Sequence, residues 1–519
     1  MNKKSRTEYS MRNSMVAFIG KILVLLFAYA SRVVFIRVLD VECTGAYGLF
    51  NNILIIFSLN SLGIDTALAF MLYAPLAQND RISQQTLIQA FRRVHLMIGA
   101  IVMAASTVLY FLLPVFSAEA VSIPDIGIIF WLFAGNVFLG YFQSHKQIIL
   151  LADQQNYIND LYESGQLILQ YLVQIVVLLT TKSFLLYTLV FFILIIPKNL
   201  ISAAHTTKRY PYLKESVRTS LNSGERIMMR KNIWAILIRK SGYQLQQFTD
   251  TLLLSGYFGL LSMARYANYS LIILSIGLLI EKIINGIMGS VGNLGVTTDR
   301  DKVENVFNAS LMLTCIMFGI ISIALFVVVG PFIEMSFGKL YVFPINITLV
   351  LCINLYFKGI RTITNVFRNS LGLFRQARYM GFIEAGVNVV YSIAAITIFG
   401  EIGIFIGTTL SMLTVPIWME PWALYRDYFE KKLWIYFIRL GGYTLAIAVC
   451  WAVSYFVCSF IGGPLPVQFI LKGVISVVIS GALIVLIFHS TKEFKTILSS
   501  FKSILKKKSG KNKTKYEDG

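Results

Sequence analysis

Met15 to Val38 reads MVAFIGKILVLLFAYASRVVFIRV, and this one run decides the fold class. A hydrocarbon core about 30 Å thick takes about 20 mostly apolar residues to cross as a helix, and the run supplies them. It is longer than the core of a signal peptide and has no small-residue cleavage site, so it reads as a retained membrane helix. Comparable runs follow one another through almost the whole chain. The composition agrees: 56% of the 519 residues are hydrophobic and 14% charged, and the mean hydropathy is +0.69, too apolar for an ordinary soluble domain. Inside lipid the backbone must satisfy its own hydrogen bonds, which selects helices over open sheets. The short alternating strands of a transmembrane barrel are not visible.

Working outward, the hydropathy places about fourteen spans, at roughly 15–38, 46–73, 94–116, 125–151, 159–181, 184–203, 232–256, 262–294, 306–334, 345–368, 379–398, 402–424, 436–460 and 467–489. An even number puts both termini on one side. With this topology about 33 of the 46 Lys and Arg fall on the terminal side and about three in the opposite loops. Arg6, Arg12, Arg92, Arg93, Lys208, Arg209, Arg375, Arg378 and Lys506 belong to the first set, and Lys182, Arg265 and Lys339 to the second. The bias makes both termini cytoplasmic and the protein a multi-pass plasma or inner membrane protein. It also accounts for the +20 charge without a nucleic-acid partner; the basic ends are placed instead to attract anionic membrane lipid. The five cysteines show no CxxC spacing and read as packing residues.

The polar, basic segment 205–231 is the longest loop. It divides the chain into an N-lobe of six helices (1–204), a C-lobe of six (232–430), two further helices (431–490) and a basic tail (491–519). A weak internal repeat fits this division. Tyr47-Gly-Leu-Phe50 and Tyr266-Ala-Asn-Tyr269 each open a helix after a glycine-containing outer turn, at an offset of 219 residues, which also sets Arg32 beside Asp250. Both copies start from the cytoplasm, so the repeat is parallel. Pro75, Pro124, Pro344 and Pro421 mark helix ends, whereas Pro416 lies inside an apolar run and should kink it.

Ionisable residues within spans each cost about 2.5–3.5 kcal/mol at the helix centre on insertion scales, so each calls for a partner or a cavity. Arg32, Arg37 and Asp250 fall in the outer part of their helices; Asp65, Glu163, Arg239, Lys240, Glu281, Lys282, Lys358, Arg361 and Glu384 fall in the inner half. Guanidinium matches phosphate oxygens with a planar fork of donors. Arg32, Arg37, Lys358, Arg361, Arg239 and Lys240 are therefore the substrate-binding candidates, with snorkelling to the headgroups the competing role for Arg37, Arg239, Lys240 and Arg361 and, over a longer reach, for Arg32. Asp250, Asp65, Glu281, Glu163 and Glu384 are candidates for binding a coupling ion, or for pairing with bases of the opposite lobe to close a gate. Gln246, Gln247 and Asp250 share one helix face, continued one turn earlier by Tyr243. Four scattered histidines carry no metal spacing; His95 reads as an interfacial side chain. No Walker motif or large loop supports an ATPase or a membrane enzyme, and no cofactor is implied.

Several strings occur together in order: Arg32-Val-Val-Phe-Ile-Arg37-Val-Leu-Asp40 into Gly45-Ala-Tyr-Gly-Leu-Phe50, Thr249-Asp250-Thr251 before Tyr266-Ala-Asn268-Tyr269, Arg368-Asn-Ser-Leu-Gly372-Leu-Phe-Arg375, Gly386-Val-Asn388, and Trp418-Met-Glu-Pro421-Trp-Ala-Leu-Tyr425. Over roughly 15–430 the chain resembles the Wzx-type polysaccharide and O-antigen repeat-unit flippases of the multidrug/oligosaccharidyl-lipid/polysaccharide exporter superfamily. Asp40 departs from the glycine usual before the outer turn. The resemblance implies an all-α fold of two six-helix lobes around a central cavity plus two C-terminal helices. It further implies alternating access, an undecaprenyl-diphosphate-linked oligosaccharide as cargo, H+ or Na+ coupling, and a place beside polysaccharide-assembly proteins in capsule or exopolysaccharide export. A peptidoglycan-precursor or teichoic-acid lipid flippase and a cation-coupled multidrug exporter of the same superfamily are the alternatives.

Overall fold

The computed structural model describes residues 6–58, 64–142, 144–215, 221–285, 299–373 and 379–499, and every regular element within them is helical. The chain divides into two compact units, Met1–Ala267 and Asn268–Gly519. The first holds α1 (Arg6–Val38), α2 (Val41–Ile55), α3 (Ile64–Ala77), α4 (Arg81–Phe116), α5 (Ile126–Tyr141), α6 (Gln147–Ala152), α7 (Tyr157–Thr181) and α8 (Phe184–Arg209). The helix α9 (Ser223–Asn285) carries the boundary. The second unit continues with α10 (Arg300–Phe337), α11 (Ile345–Ser370), α12 (Met380–Phe399), α13 (Ile402–Thr414), α14 (Pro416–Leu424), α15 (Trp434–Ser459) and α16 (Leu465–Phe488).

Among the described residues twelve helices are long and apolar enough to cross a membrane, so the chain is a multi-pass membrane protein. The other two of the expected fourteen are present in altered form. The span expected at 46–73 is delivered as α2 and α3, each shorter than a full crossing. The pair expected at 232–256 and 262–294 is one helical run broken at Gly259, whose φ of 75° and ψ of −173° are not helical. Two helices begin or end inside the segment expected as the 205–231 loop: α8 runs to Arg209 and α9 starts at Ser223.

The break at Gly259 has a local cause. Its positive φ suits glycine, and a Cβ there would lie 2.7 Å from the Glu119 carboxylate. That carboxylate accepts a hydrogen bond at 2.7 Å from the Leu260 N–H, one of the donors that a broken helix leaves without an intrahelical partner. Gly259 lies 219 residues after Asp40, the offset of the repeat. At Asp40 the chain also leaves one helix and starts another, with φ −69° and ψ 165° and the Thr44 N–H donating to its carbonyl. These angles are open to any L residue, which explains how aspartate stands where a glycine was expected. Gly45 and Gly48 of α2 let backbones approach closely, as small residues do between membrane helices: a Cβ at Gly45 would collide with the Leu260 carbonyl, and one at Gly48 with the Ala267 side chain.

α4 starts thirteen residues before the expected 94, because residues 81–93 are amphipathic and their arginines depress the hydropathy. Asp80 caps this helix, accepting from the Ser83 N–H at 3.1 Å and the Ser83 hydroxyl at 2.6 Å. These hydrogen bonds hold the Asp80 carboxyl below its usual range. Leu87, Ile88 and Phe91 then pack with Leu68, Leu72 and Ile149. In the second unit Phe307 sits among Phe367, Tyr425, Phe429 and Tyr436, with ring centroids 5.1 to 6.4 Å away. Pro416 divides α13 from α14 as expected. Pro421 does not end a helix but lies inside α14, and Pro75 lies inside the last turn of α3.

Candidate functional site

The helix α7 presents a polar ladder. Glu163, Gln166, Gln170 and Gln174 recur at three- and four-residue spacing, which puts them on one face. The Gln166 amide donates to Gln170 at 2.8 Å, Gln170 to Gln174 at 3.4 Å, and Gln174 to the Tyr187 carbonyl at 3.0 Å. The upper part of this ladder lines a cavity of about 360 Å³ within the first unit. Across from it stand Asn51 of α2, Asp65 of α3, Asn136 of α5 and Lys198 of α8, with the Tyr47 ring, while Tyr171 lines the cavity from α7 itself. The wall thus combines amides and hydroxyls with two carboxylates and one ammonium group.

Asp65 is tied to His95. The ring Nε2 lies 2.9 Å from Asp65 Oδ1, and Nδ1 lies 2.9 Å from the Phe91 carbonyl oxygen. A carbonyl only accepts, so the Nδ1 contact is the one at which the ring donates, with Asp65 at the other ring nitrogen. This corrects the interfacial reading of His95: the early start of α4 brings the residue inside the helix, and it is fully buried. The Tyr141 ring lies 6.3 Å from it, and the Tyr141 hydroxyl donates to the Phe57 carbonyl.

Arg32 is buried beside this cavity, behind one of its walls. Its guanidinium lies 5.3 Å from the Tyr47 ring centroid and 5.7 Å from that of Phe35. Tyr187 packs against both rings and its hydroxyl meets Ser31 at 3.2 Å. Arg37 is exposed, as snorkelling requires. Gln246 and Asp250 are buried, so their stripe faces protein.

In the second unit the candidate charges are held differently. Arg361 of α11 reaches Glu384 of α12 through two parallel bonds of 2.7 and 3.0 Å, and Glu420 of α14 at 3.3 and 3.4 Å. Asn365 donates to the same Glu420 oxygen at 3.0 Å, and Arg368 donates to Asn365 at 2.7 Å. The carboxylates retain 2% and 1% of their exposure. Arg361 and Glu384, expected as separate substrate and gate residues with gate pairs across lobes, are partners within one unit. Lys358 and Glu281 are half-buried. The side chains of Arg239, Lys240, Tyr243 and Lys282, and all of Arg375 and Arg378, lie outside the described residues. No group of three metal-ligating side chains occurs among the described residues.

Six site residues lie outside the candidates that the sequence points to. Lys198 stands in an apolar span beside Pro197, and the ladder Gln166, Gln170, Gln174 has the same spacing as the stripe that was noticed around Asp250; both signals were available. Glu420 is an acid between Pro416 and Pro421, in the stretch Trp418–Tyr425. Nothing local distinguishes His95, whose role depends on where Asp65 is carried.

No protein-family model matches the chain, and no curated protein sequence is similar to it. Solved structures do match in fold. A lipid II flippase MurJ in an inward closed conformation superposes with a TM-score of 0.66 at 14% identity, over 92% of this chain and 98% of that one. An inward-facing multidrug resistance transporter of the MATE family and the MOP superfamily gives 0.60 at 13% identity, over 79% and 97%. A MOP superfamily transporter from Pyrococcus furiosus, described by a reversed polarity of its binding pocket, gives 0.53 at 14%, over 83% and 98%. The chain has the fold these transport proteins share.

Proposed function

We propose that the chain is a flippase of the MOP superfamily that carries lipid-linked oligosaccharides from the cytoplasmic to the outer leaflet by alternating access, with both termini in the cytoplasm. The observation that carries this reading is the chemistry of the first unit's cavity wall. Asn51, Asn136, Gln166 and Gln170 offer donors and acceptors together, and Tyr47 and Tyr171 offer ring faces. Sugar hydroxyls also donate and accept, so such a wall replaces the hydration that a glycan loses on leaving water. The polyprenyl tail stays in lipid, and the diphosphate calls for a cation at the cavity.

We assign that cation to Lys198 on the wall, backed by Arg32 behind Tyr47; Lys358 of the second unit stays a candidate base. Arg361 is committed to Glu384 and Glu420 and is withdrawn as a phosphate ligand. Asp65, with its hydrogen-bond partner His95, and Glu163 are the coupling groups assigned to the wall; Asp250 and Glu281 remain candidates away from it. The undecaprenyl-diphosphate repeat unit of capsular or exopolysaccharide export is the cargo favoured by the sequence strings, and the peptidoglycan precursor is the competing cargo.

Translocation in proteoliposomes tests the reading, with a lipid-diphosphate oligosaccharide and lipid II offered separately to wild type, Lys198→Ala and Arg32→Ala. Flipping of the oligosaccharide lipid by wild type and its loss in Lys198→Ala at matched protein levels is the expected result. Preference for lipid II changes the cargo; export of an organic cation with no lipid flipped rejects the flippase reading.

A further inference from the structure

The first unit carries a second, separate cavity of about 680 Å³, between the start of α4 and the start of α9. Its two walls are graded alike. On the α4 wall Thr86, Gln89 and Ala90 precede Arg93, from which the lining runs through Met97 to Ile101; on the α9 wall Arg226 and Arg230 lead through Trp234 to Leu237. Each wall passes from guanidinium to wholly apolar side chains in about two helical turns, or roughly 11 Å at 1.5 Å per residue. Among the described residues none of the three arginines forms an ion pair and no Asp or Glu lines the groove; Arg226 donates to the Leu221 carbonyl at 3.3 Å. The apolar part is open on the membrane side: Met97 and Ile101 each keep 59% of their surface exposed and Trp234 keeps 64%. Tryptophan is enriched where bilayer meets water.

We infer that this groove binds an anionic glycerophospholipid, with the headgroup phosphate between Arg93, Arg226 and Arg230 and the upper acyl chains along Met97, Ile101 and Trp234. Guanidinium forks match phosphate oxygens, and the absence of a lining carboxylate leaves three positive charges for the occupant to neutralise. A soluble phosphate would leave the apolar two thirds of the groove unused, which selects a lipid. Basic recesses between membrane helices on the cytoplasmic side take anionic headgroups in this way. The site is distinct from the 360 Å³ cavity, shares no residue with it, and does not depend on which cargo is carried.

Trp234 is a reporter already in place. The full chain would be reconstituted in nanodiscs with phosphatidylglycerol or phosphatidylcholine brominated on the acyl chains, and the fluorescence lost in Trp234→Phe would isolate this residue's signal. Brominated phosphatidylglycerol should quench the Trp234 component at lower mole fraction than brominated phosphatidylcholine. Replacing Arg93, Arg226 and Arg230 by Gln, singly and together, should lower the apparent affinity about fivefold for each charge removed. Arg93→Lys should keep most of the preference, which guards against a variant that simply misfolds. Equal quenching by the two lipids overturns the inference, as does a preference that survives the triple replacement. Displacement of the brominated lipid by an equimolar polyprenyl diphosphate would make the groove a cargo entrance and overturn the assignment to a structural phospholipid. A chain that binds the lipid but flips nothing leaves this site standing and removes only the proposed function.

Discussion

In the first unit Asp65, Glu163 and Lys198 face a cavity of about 360 Å³, and the Asp65 side chain keeps 30% of its surface accessible. In the second, Glu384 and Glu420 keep 2% and 1% and are spanned by the Arg361 guanidinium. Both units bring acids and bases into apolar helices, yet one leaves them able to meet a ligand while the other satisfies them internally. Charge in a membrane helix is thus no indicator of a binding site until its partners are known. A group facing a cavity can exchange its hydration for cargo; a group already held by a bidentate partner would have to break that contact first.

The largest effect that separates the two regions is on stability. Arg361→Ala strands two buried carboxylates, and breaking a buried pair from one side costs about 3–5 kcal/mol. The expected outcome is loss of the monodisperse peak in fluorescence-detected size exclusion, or a much lower melting temperature in detergent. Neutralising all three groups at once, with Arg361→Met, Glu384→Gln and Glu420→Gln, should recover most of that loss, because no uncompensated charge remains. If Arg361→Ala is as stable as wild type, the cluster is not a structural unit and the contrast between the two regions fails.

Next in size is the opposite behaviour at the cavity. Lys198→Ala should leave the melting temperature within a few degrees of wild type while lowering transport about 10- to 100-fold, the value of a charged hydrogen bond of about 1.5–3 kcal/mol. Gln170→Ala should show a weaker version of the same split. A Lys198 variant that loses stability and transport together would place Lys198 with Arg361 and erase the distinction.

Much of this was readable beforehand, and the failures share a cause. The helical membrane class follows from runs such as Met15–Val38, whose hydropathy needs no tertiary information. Helix ends failed where amphipathic residues border an apolar run, as at 81–93, because averaging hides a periodic pattern. The charged positions Asp65, Glu163, Arg361 and Glu384 were all singled out; their roles were not assignable, since a role depends on which residue stands opposite. Arg361 and Glu384 are 23 residues apart in sequence and Asp65 and His95 are 30 apart, and no pattern along one helix reports such pairings.

Smaller again is the effect at the two helix breaks, Asp40 and Gly259, which lie 219 residues apart. Gly259→Ala must adopt a positive φ and meet the Glu119 carboxylate, costing more than about 1 kcal/mol. Asp40→Gly, at the corresponding position with ordinary angles, should change stability by only a few tenths of a kcal/mol. Thermal unfolding of the two variants side by side checks the asymmetry, and equal losses would remove the local explanation of the break.

The smallest effect lies outside the membrane spans of the second unit and sharpens what distinguishes its buried cluster. Lys431 donates to Asp301 at 2.6 Å and to Glu304 at 2.5 Å, and Arg439 reaches Glu304 at 3.3 Å. The Lys431 hydrogen bonds to Asp301 and Glu304 push its pKa up to about 12, above the value of about 10.4 of a free lysine. A pKa raised on folding means that the folded chain holds this proton more tightly than the unfolded one. The stabilisation is therefore complete below about pH 10.4 and is lost as the pH rises to about 12. Because the group is solvent-exposed and screened, its contribution is small at any pH. The difference in melting temperature between wild type and Lys431→Met should be constant from pH 7 to pH 10, shrink above that, and fall at every pH when salt is raised from 0.1 to 1 M. Arg361→Met measured over the same range should show neither dependence, since its guanidinium does not titrate there and salt does not reach carboxylates this deeply buried.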